Sequence, residues 1–553
     1  MNKLTFLTVF SVLFIFISCK DSAEEKEVSQ EWDVSVEHLE RHIKELASDA
    51  YMGRMPMTIG EELTVAYLEK ELQEIGVAPG NNGSYLQDVA LITVNSVPDE
   101  QISVTGGKSP LTLNRGEDYV VFSQLIQEEV KVENAEFVFC GFGIVAPEYG
   151  WNDYEGIDMT GKIAVVMVND PGYYLQDENM FTGNAMTYYG RWTYKYEEAA
   201  RQGAAGVIII HEDAAAGYPW GVVQGSWSGS KMQLDLPEGS VEYAPLQGWI
   251  TSDVAKQLFD GAGKNKDELL ERAMAADFKP VPLGIKTSVT MKNTFERGTS
   301  PNVIGIIEGS VRPDEYIIYT AHWDHLGGED PNDSSTIYNG AVDNATGTAM
   351  LLEIARAVKE RDEPLERSMV FLFVTAEEQG LLGSAYYAAN PVFPTNKTVA
   401  NLNVDAVFPF GPTKDVLVVG HHQNDLADWA EEIVASQDRY ILPDQEPEKG
   451  FYYRSDHFSL AKVGIPAMYA SGGADLVDGG KEKGERLRAE YNQKYYHKPG
   501  DEFNPETWNM GSIAQDAEFY FRLGVKIANS QDWPKWSENS EFRAIREKDM
   551  ESK

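Results

Sequence analysis

Two segments near the start of the chain repeat apolar residues at the spacing of a helix. The stretches V-S-V-E-H-L-E-R-H-I-K-E-L and T-I-G-E-E-L-T-V-A-Y-L-E-K-E-L-Q-E-I-G both place apolar residues at i, i+3 and i+4. The second stretch ends on Gly76, where a left-handed cap is expected because glycine tolerates a positive φ. Both stretches are therefore predicted to form amphipathic helices.

The pattern of apolar and polar positions changes between about residues 90 and 290. Short β-branched and aromatic runs, such as F-V-F-C-G-F-G-I-V, K-I-A-V-V-M-V and G-V-I-I-I-H, alternate there with Gly, Pro and Asn. This texture predicts a separate, mostly β unit with one helical stretch around residues 194–202.

From Asn302 onward, strands, loops and helical stretches alternate, which is typical of a parallel sheet with helices on both faces. Potential metal ligands stand at the ends of three of these strands: His322 and Asp324, Glu377 and Glu378, and Asp405. Asp343 comes just before a strong helix between the first two strands. Because ligands bind outside the carboxyl ends of the strands of an open parallel sheet, we expect these side chains to converge on one site.

Such a convergence has a chemical consequence. A single acidic residue after a strand is usually a helix cap or solvated, but a buried cluster of carboxylates repels itself and takes up protons unless cations neutralise it. Imidazole together with several carboxylates suits zinc or a similar divalent ion, and a pair of ions about 3.5 to 4 Å apart is a known solution for hydrolytic clefts.

Further motifs extend over nearly the whole mature chain: G-R-M-P-M-T-I-G-E-E, S-P-N-V-I-G-I-I-E-G, H-W-D-H-L-G, V-D-N-A-T-G, S-D-H-F followed by G-I-P-A, and Y-H-K-P-G-D. With this set the chain resembles the dinuclear zinc exopeptidases of the aminopeptidase and glutamate carboxypeptidase clan, in the subgroup with a protease-associated domain inserted ahead of the metal site. The resemblance implies an α/β fold, with a mixed, mainly parallel sheet sandwiched by helices and a mostly β insert.

The resemblance also implies two zinc ions and their ligands. It makes Asp343 the bridging carboxylate, with His322 and Asp405 completing one site and Glu378 and His497 the other. It makes Glu377 the general base, since a carboxylate that is not a ligand can take the proton of a water whose pKa two cations lower.

Other residues of these motifs receive roles around the ligands. Asp324 is expected to accept a hydrogen bond from the ring nitrogen of His322 that does not face metal. Tyr452 is a candidate for stabilising the oxyanion of the tetrahedral intermediate, although Tyr453 beside it leaves the register open. His457 is expected to be a structural, hydrogen-bonded histidine. Three further histidines are expected to be structural or solvated: His325, His421 and His422.

These patterns divide the chain into predicted segments: a lipoprotein signal peptide (1–18), a flexible tether (19–31), the N-terminal part of the peptidase domain (32–134), the protease-associated-like insert (135–282), the catalytic domain (283–535) and a charged C-terminal tail (536–553). The aromatic loops of the insert either roof the cleft and restrict it to chain ends or are ordinary core and surface residues.

The first nineteen residues contain a basic Lys3 and an apolar stretch that is too short to be a stable spanning helix. Their end, F-I-S-C, resembles a bacterial lipobox, which would make Cys19 the acylated first residue of the mature chain. Cys140 is then the only thiol, and its surroundings predict a small buried apolar residue. The protein is expected to be an exported lipoprotein on the periplasmic or cell-surface face of the outer membrane, in contact with the membrane only through this anchor.

Composition excludes some classes of function. The 553 residues are 42% hydrophobic and 11% aromatic, which indicates a folded protein of two or three domains. The formal net charge of -40 argues against nucleic-acid binding, which depends on Lys and Arg.

The predicted function is hydrolysis of residues from the amino terminus of peptides. A cleft rich in acids can hold an α-ammonium group, whereas a terminal carboxylate needs a basic partner. The chain has 47 basic against 87 acidic residues. Few bases lie near the ligand motifs, and Arg454 is the exception. A glutamate-type carboxypeptidase or dipeptidase on the same site is the alternative. A glutaminyl cyclase with one zinc and a non-catalytic, receptor-like relative are less favoured, because all five ligands and the base are present. The sequence does not define the oligomeric state.

Overall fold

The computed structural model describes residues 34–177, 179–237, 239–240 and 243–551. Residues Val34–Lys553 form one compact unit. The predicted signal peptide, Cys19 and the tether lie outside the described residues. None of the helices in the described ranges has both the length and the apolar content needed to cross a bilayer.

Fifteen α-helices occur in the described residues: Val36–Leu46, Ile59–Ile75, Pro171–Leu175, Trp192–Arg201, Asp213–Ala216, Trp220–Ser226, Ser252–Gly261, Lys266–Ala273, Thr346–Lys359, Leu382–Ala389, Leu426–Ser436, His457–Ala461, Gly480–Lys494, Gly511–Asn529 and Arg543–Met550. The strands in the same ranges are Ala78–Pro79, Leu86–Pro98, Gln101–Thr105, Leu111–Asn114, Tyr119–Phe122, Glu129–Phe139, Val145–Ala146, Trp151–Asn152, Lys162–Met167, Gly206–His211, Ser230–Leu234, Leu246–Thr251, Val281–Ile307, Arg312–His322, Gly327–Gly328, Ile337–Tyr338, Arg367–Val374, Thr398–Asn403, Asp415–Val419, Tyr440–Pro443 and Ala467–Gly472.

The centre of the predicted catalytic region is a mainly parallel group of strands. Four strands pair in parallel in the order Arg367–Val374, Arg312–His322, Thr398–Asn403 and Ala467–Gly472. Antiparallel strands border them on both sides, namely Val281–Ile307 and Asp415–Val419. The strand R-S-M-V-F-L-F-V is buried at every position, as expected for a strand covered on both faces. The predicted α/β fold class is confirmed.

The insert adds a second group of parallel strands to the same continuous sheet. Four of its strands pair in parallel in the order Glu129–Phe139, Lys162–Met167, Gly206–His211 and Leu246–Thr251. The insert is more helical than predicted, because helices Ser252–Gly261 and Lys266–Ala273 follow the last of these strands. The first of these helices is capped by the Thr251 side chain and buries Val254 and Leu258, a spacing that was present in the sequence and was overlooked.

One long strand, Val281–Ile307, joins the two groups of parallel strands. Its first part pairs with Glu129–Phe139 of the insert, and its last part pairs with Arg367–Val374, the outermost of the central parallel strands. The predicted insert boundaries at 134/135 and 282/283 both fall inside strands. The insert is therefore joined to the catalytic region through a continuous strand, and no linker separates them at this point.

The ends of the described chain are packed. Helices Val36–Leu46 and Ile59–Ile75 confirm the two helical predictions, and Gly76 caps the second at φ +83°. The predicted charged tail is not free: Phe542 is buried, and Arg546 donates hydrogen bonds to backbone carbonyls of the Pro394–Thr398 turn. Cys140 is a free, fully buried cysteine, as predicted.

Candidate metal centre

The strand ends bring the predicted ligands together. His322 is the last residue of its strand, Glu378 follows the neighbouring strand Arg367–Val374, and Asp405 follows Thr398–Asn403 on the other side. Since these three strands are parallel neighbours, their carboxyl ends meet at one edge of the sheet. His497 comes to this edge from the segment after helix Gly480–Lys494.

The carboxylate of Asp343 faces one histidine with each oxygen. Its Oδ1 lies 3.3 Å from Nε2 of His322, and its Oδ2 lies 3.3 Å from Nε2 of His497. Nε2 of His322 is also 3.3 Å from Oδ1 of Asp405, and Nε2 of His497 is 3.1 Å from Oε2 of Glu378. Each histidine thus completes a set with its own carboxylate and one oxygen of Asp343.

These separations fit metal coordination. Ligand atoms 2.0 to 2.1 Å from a tetrahedral zinc ion lie roughly 3.3 Å from one another. Two groups of potential ligand atoms converge, one made of His322, Glu377 and Asp405 and the other of His325, Asp343 and Glu378. They differ from the predicted sets, because Glu377 stands in the first group and His325, instead of His497, in the second. The residues present therefore fit two divalent cations.

Electrostatics in the centre keep two of these carboxylates ionised. Burial alone would raise the pKa of Asp343, but the contacts with His322 and His497 outweigh burial and hold that pKa well below its usual value. Burial and the charge of Asp343 act to raise the pKa of Glu378. The histidines beside it outweigh both and lower this pKa to about 2. Buried ionised carboxylates require cationic partners. Bound metal ions would be such partners.

Glu377 differs from the ligands. Its Oε2 lies 4.0 Å from Nε2 of His322. Burial, together with the negative charges of Glu378 and Asp405, raises the pKa of Glu377 well above its usual value. A carboxylate with a raised pKa beside a ligand set is suited to accept and return a proton.

Asp324 contacts a different partner from the predicted one. Nδ1 of His322 lies 3.2 Å from the backbone oxygen of Asp324 and 3.8 Å from its carboxylate. The carboxylate instead accepts the backbone N–H groups of Glu377 at 3.0 Å and Glu378 at 3.3 Å. Both oxygens of this carboxylate therefore bind the turn that carries the acidic pair.

Tyr452 is not placed at the ligands. It is 4% exposed and packs against His457 and Phe542, with no contact to a ligand side chain in the described part of the chain. The phenol at the centre is Tyr496, whose ring stacks on His497 with centroids 3.9 Å apart. Partial burial and the charges of Asp343, Glu378, Glu377 and Asp405 raise the pKa of Tyr496, which keeps this phenol protonated.

Sequence reasoning missed two residues that hold ligands in place. The carboxylate of Asp501, the last residue of Y-H-K-P-G-D, accepts the backbone N–H groups of Val342 and Asp343 at 3.1 Å. Ser455 donates its hydroxyl to Oδ2 of Asp405 at 2.7 Å. Both residues stand in motifs that were recognised, but a distance between motifs is not visible in a sequence.

The remaining histidines fall into two groups. Burial lowers the pKa of His457 to about 3, and its ring lies between Tyr452 and Tyr469 as a neutral, structural imidazole. His421 and His422 contact none of the ligands in the described residues. His325, in contrast, is fully buried at the centre, with Nδ1 2.6 Å from Oε1 of Glu378. The structure therefore rules out a solvated His325 and places it in a group of candidate ligands.

Comparison with known proteins finds similarity to a peptidase family in the region that carries this centre. Residues 302–520 match the model of peptidase family M28. The chain is 37% identical over 143 residues to "Aminopeptidase NAALADL1" of Mus musculus, covering 24% of this chain and 18% of that protein. It is 38% identical over 235 residues to "Probable glutamate carboxypeptidase LAMP1" of Arabidopsis thaliana, covering 38% of this chain and 33% of that protein.

The chain therefore spans at most a third of the length of these two curated relatives. Among solved structures, an aminopeptidase from Aneurinibacillus sp. strain AM-1 aligns with a TM-score of 0.46 and 19% identity, over 90% of this chain and 95% of that one.

Proposed function

We propose that this protein is a zinc-dependent metallo-exopeptidase that removes residues from the amino terminus of peptides. The observation that carries the proposal is the carboxylate of Asp343, which is shared between two sets of His and carboxylate ligands, with Glu377 beside them. The match of residues 302–520 to a peptidase family supports the same chemistry.

The proposed mechanism assigns a task to each group. His322 and Asp405 would hold one ion, Glu378 and His497 the other, and Asp343 both. Two zinc ions there would lower the pKa of a shared water and polarise the scissile carbonyl. Glu377 takes the proton of the attacking water and delivers it to the leaving amine. The hydroxyl of Tyr496 donates a hydrogen bond to the oxygen on which negative charge develops.

The insert supports action on chain ends. Tyr188 of the insert packs on Phe458 of the peptidase region with ring centroids 5.0 Å apart, and Lys462 donates to the Tyr188 hydroxyl at 3.0 Å. Asn184 of the insert donates to the carboxylate of Glu448 at 3.1 Å. We propose that this packing walls the cleft on one side, so that a chain end enters and the middle of a folded chain does not.

The acidic character of the centre favours an amino terminus as the bound end. A free α-ammonium group can lie beside carboxylates that the ions do not fully neutralise, whereas a terminal carboxylate needs a basic partner.

One observation favours the carboxypeptidase alternative as a second candidate. Arg191 of the insert is 8% exposed, and burial together with the charge of Arg454 lowers its pKa to about 10. Arg454 lies over the rings of Phe451 and Tyr218, and no ion pair joins either guanidinium to an acid in the described residues. Two neighbouring arginines without an acidic partner could receive a substrate carboxylate.

The test of the proposed function is metal dependence. The purified protein is stripped with a chelator, reloaded with zinc in steps and assayed on an unblocked dipeptide. We expect hydrolysis to be absent in the stripped protein and to return with added zinc up to two equivalents. Equal hydrolysis with and without metal would contradict the proposal.

We further propose that the protein is exported and anchored by a lipid on Cys19, on the periplasmic or cell-surface face of the outer membrane. Exchange of Cys19 for Ala should move the protein from the membrane fraction to the soluble fraction without changing turnover. Mass spectrometry of the mature N-terminus decides the point, since an unmodified Cys19 would contradict the anchor.

A further inference from the structure

Two arginines lie near each other where the insert meets the catalytic region. Arg191 immediately precedes helix Trp192–Arg201 of the insert, and its Cδ lies 3.4 Å from the position that a Cβ on Gly450 would take. Arg454 belongs to the catalytic region, and its Nη2 lies 3.7 Å from the position that a Cβ on Gly217 of the insert would take. Each arginine therefore packs close to the backbone of the opposite region.

Neither arginine has an acidic partner. In the described ranges no ion pair joins Arg191 or Arg454 to an acid, and Nε of each is buried without a hydrogen-bonding partner. Arg454 donates one N–H to the carbonyl of Lys449 at 2.5 Å, whereas the side chain of Arg191, which is 8% exposed, donates to none of the described residues. A buried cation without a partner costs free energy, and a bound anion would offset this cost.

Arg191 differs in this respect from the other buried arginines of the described residues. The other four all donate to a carboxylate or to a backbone carbonyl: Arg54, Arg367, Arg439 and Arg546. The chain has 87 acidic and 47 basic residues, so an acidic neighbour is the more common surrounding for a base in this protein. The unused donors of Arg191, with a second cation beside it, therefore point to an anionic ligand.

The loop before Arg191 is held in place by its own contacts. Oδ2 of Asp170 accepts the backbone N–H of Thr187 at 2.9 Å and the hydroxyl of Thr187 at 2.8 Å. A Cβ on Gly190 would lie 3.0 Å from the same oxygen, so the backbone before Arg191 packs directly against this carboxylate. A binding group that is positioned in advance loses little conformational entropy when its ligand binds.

Arg454 borders the candidate metal centre. It directly precedes Ser455, whose hydroxyl donates to Oδ2 of Asp405 at 2.7 Å. Burial lowers the pKa of Arg454, and the phenols of Tyr218 and Tyr496 act to raise it. Tyr496 is the residue whose ring stacks on a ligand histidine. A peptide bond at the metal centre would therefore have its flanking side chains close to this pair of arginines.

We propose that Arg191 and Arg454 bind a side-chain carboxylate of the substrate, so that the protein prefers peptides with Asp or Glu at one of the two residues that flank the scissile bond. The inference rests on the proposed function, because it assumes hydrolysis at the metal centre. A guanidinium donates two parallel N–H groups to the two oxygens of a carboxylate, and a side-chain amide offers only one such oxygen. The arginine pair would thus distinguish an acidic side chain from an amide of the same size.

The experiment compares four tripeptides with a free amino terminus and an amidated carboxyl terminus. Asp stands at the first position in one and at the second in another, with alanine elsewhere, and the remaining two contain Asn in place of Asp. Asp and Asn differ in charge but hardly in size, and amidation removes the terminal carboxylate. The kcat/KM of each peptide is measured with the zinc-loaded, full-length protein.

Three variants accompany the wild type. Arg191→Gln and Arg454→Gln each remove one guanidinium of the pair. Arg272→Gln is the matched control, because it changes the net charge equally at an exposed position of the insert. Damage to the fold would lower kcat/KM for all four peptides alike, so the ratio of Asp to Asn reports on the carboxylate alone.

We expect kcat/KM to be about 10- to 100-fold higher for Asp than for Asn at one of the two positions, both in the wild type and in Arg272→Gln. In Arg191→Gln and in Arg454→Gln this ratio should fall towards one, through slower cleavage of the Asp peptide.

Three outcomes would overturn the inference. Equal kcat/KM for Asp and Asn at both positions in the wild type would show that no side-chain carboxylate is recognised. A preference for Asp that persists in both arginine variants would assign it to other residues. Trialanine with a free carboxylate that is cleaved much faster than its amide, in the wild type but not in the arginine variants, would show that the pair binds a terminal carboxylate. Failure to cleave any of the peptides would instead contradict the proposed function itself.

Discussion

Oδ1 of Asp324 accepts the backbone N–H of Glu377 at 3.0 Å, so one buried carboxylate holds the turn that carries the proposed base. Its other oxygen accepts the backbone N–H of Glu378 at 3.3 Å. The residue after the first strand therefore sets the backbone position of both members of the acidic pair after the neighbouring strand. Burial raises the pKa of Asp324 to about 7, although His322 and the backbone N–H groups of Glu377 and Glu378 act to lower it.

Exchanging Asp324 for Asn should test this arrangement. The amide keeps one acceptor but turns an NH₂ toward a backbone N–H, so one buried donor loses its partner. We expect a fall in kcat of about 10- to 100-fold. Steady-state kinetics measure it, with the exposed Asp330→Asn as control. Turnover equal to wild type would show that the turn does not need this carboxylate.

The base and the ligand of the acidic pair should give different phenotypes. Glu377→Gln removes the proton acceptor and leaves the ligands, so kcat should fall by about 100-fold or more while bound zinc is retained. Glu378→Ala should lose zinc as well as activity. Metal analysis of each purified variant, paired with turnover, separates the two cases. Near-normal turnover in Glu377→Gln would contradict the assigned mechanism.

The two tyrosine candidates can be compared directly. Tyr496→Phe removes the phenol that stacks on His497, and we expect a loss in kcat of about 100-fold with little change in KM, because the hydrogen bond is made to the charge that develops during the reaction. Tyr452→Phe is the matched control and should retain most activity, since that hydroxyl is buried away from the ligands. The reverse result would restore Tyr452 as the oxyanion partner.

A buried histidine outside the centre makes stability depend on pH. Burial and the charge of Arg41 lower the pKa of His42 from 6.5 to about 3. Between these values the unfolded chain binds a proton that the folded chain does not, so stability is lost as the pH falls below 6.5. The cost is at most about 1.4 kcal/mol per pH unit from this group.

Urea unfolding of the wild type and of His42→Gln at pH 7 and pH 5 measures this dependence. We expect the wild type to lose about 1 to 2 kcal/mol more than the variant over this interval. Equal losses in both proteins would show that His42 does not titrate abnormally.

The sequence was sufficient for the features that depend on local pattern. The helix cap at Gly76, the strand that ends on His322 and the acidic pair after strand Arg367–Val374 follow from apolar periodicity and from the residues directly after it. Convergence of the ligands followed from a general property of parallel sheets, which places the carboxyl ends of neighbouring strands at one edge.

Features that depend on packing between distant segments could not be obtained in this way. The choice between Tyr452 and Tyr496 is made by where two loops lie in space, although Tyr496 is adjacent to the ligand His497 and that adjacency was a usable signal. The proximity of Arg191 to Arg454 joins segments far apart in the chain. The insert boundary was not visible in the sequence, because the strand Val281–Ile307 runs through it and its alternation of apolar and polar residues has no break there.

The most direct test of the central claim is a single assay on two peptides of the same sequence, one with a free amino terminus and an amidated carboxyl terminus, the other acetylated and with a free carboxylate. The zinc-loaded protein is incubated with each, and the products are identified by mass spectrometry. We predict stepwise shortening of the first peptide from its amino terminus, abolished by chelator, and no change in the second. Cleavage of the acetylated peptide that is lost in Arg454→Ala would establish the carboxypeptidase alternative instead, and no cleavage of either peptide would contradict the assignment as an exopeptidase.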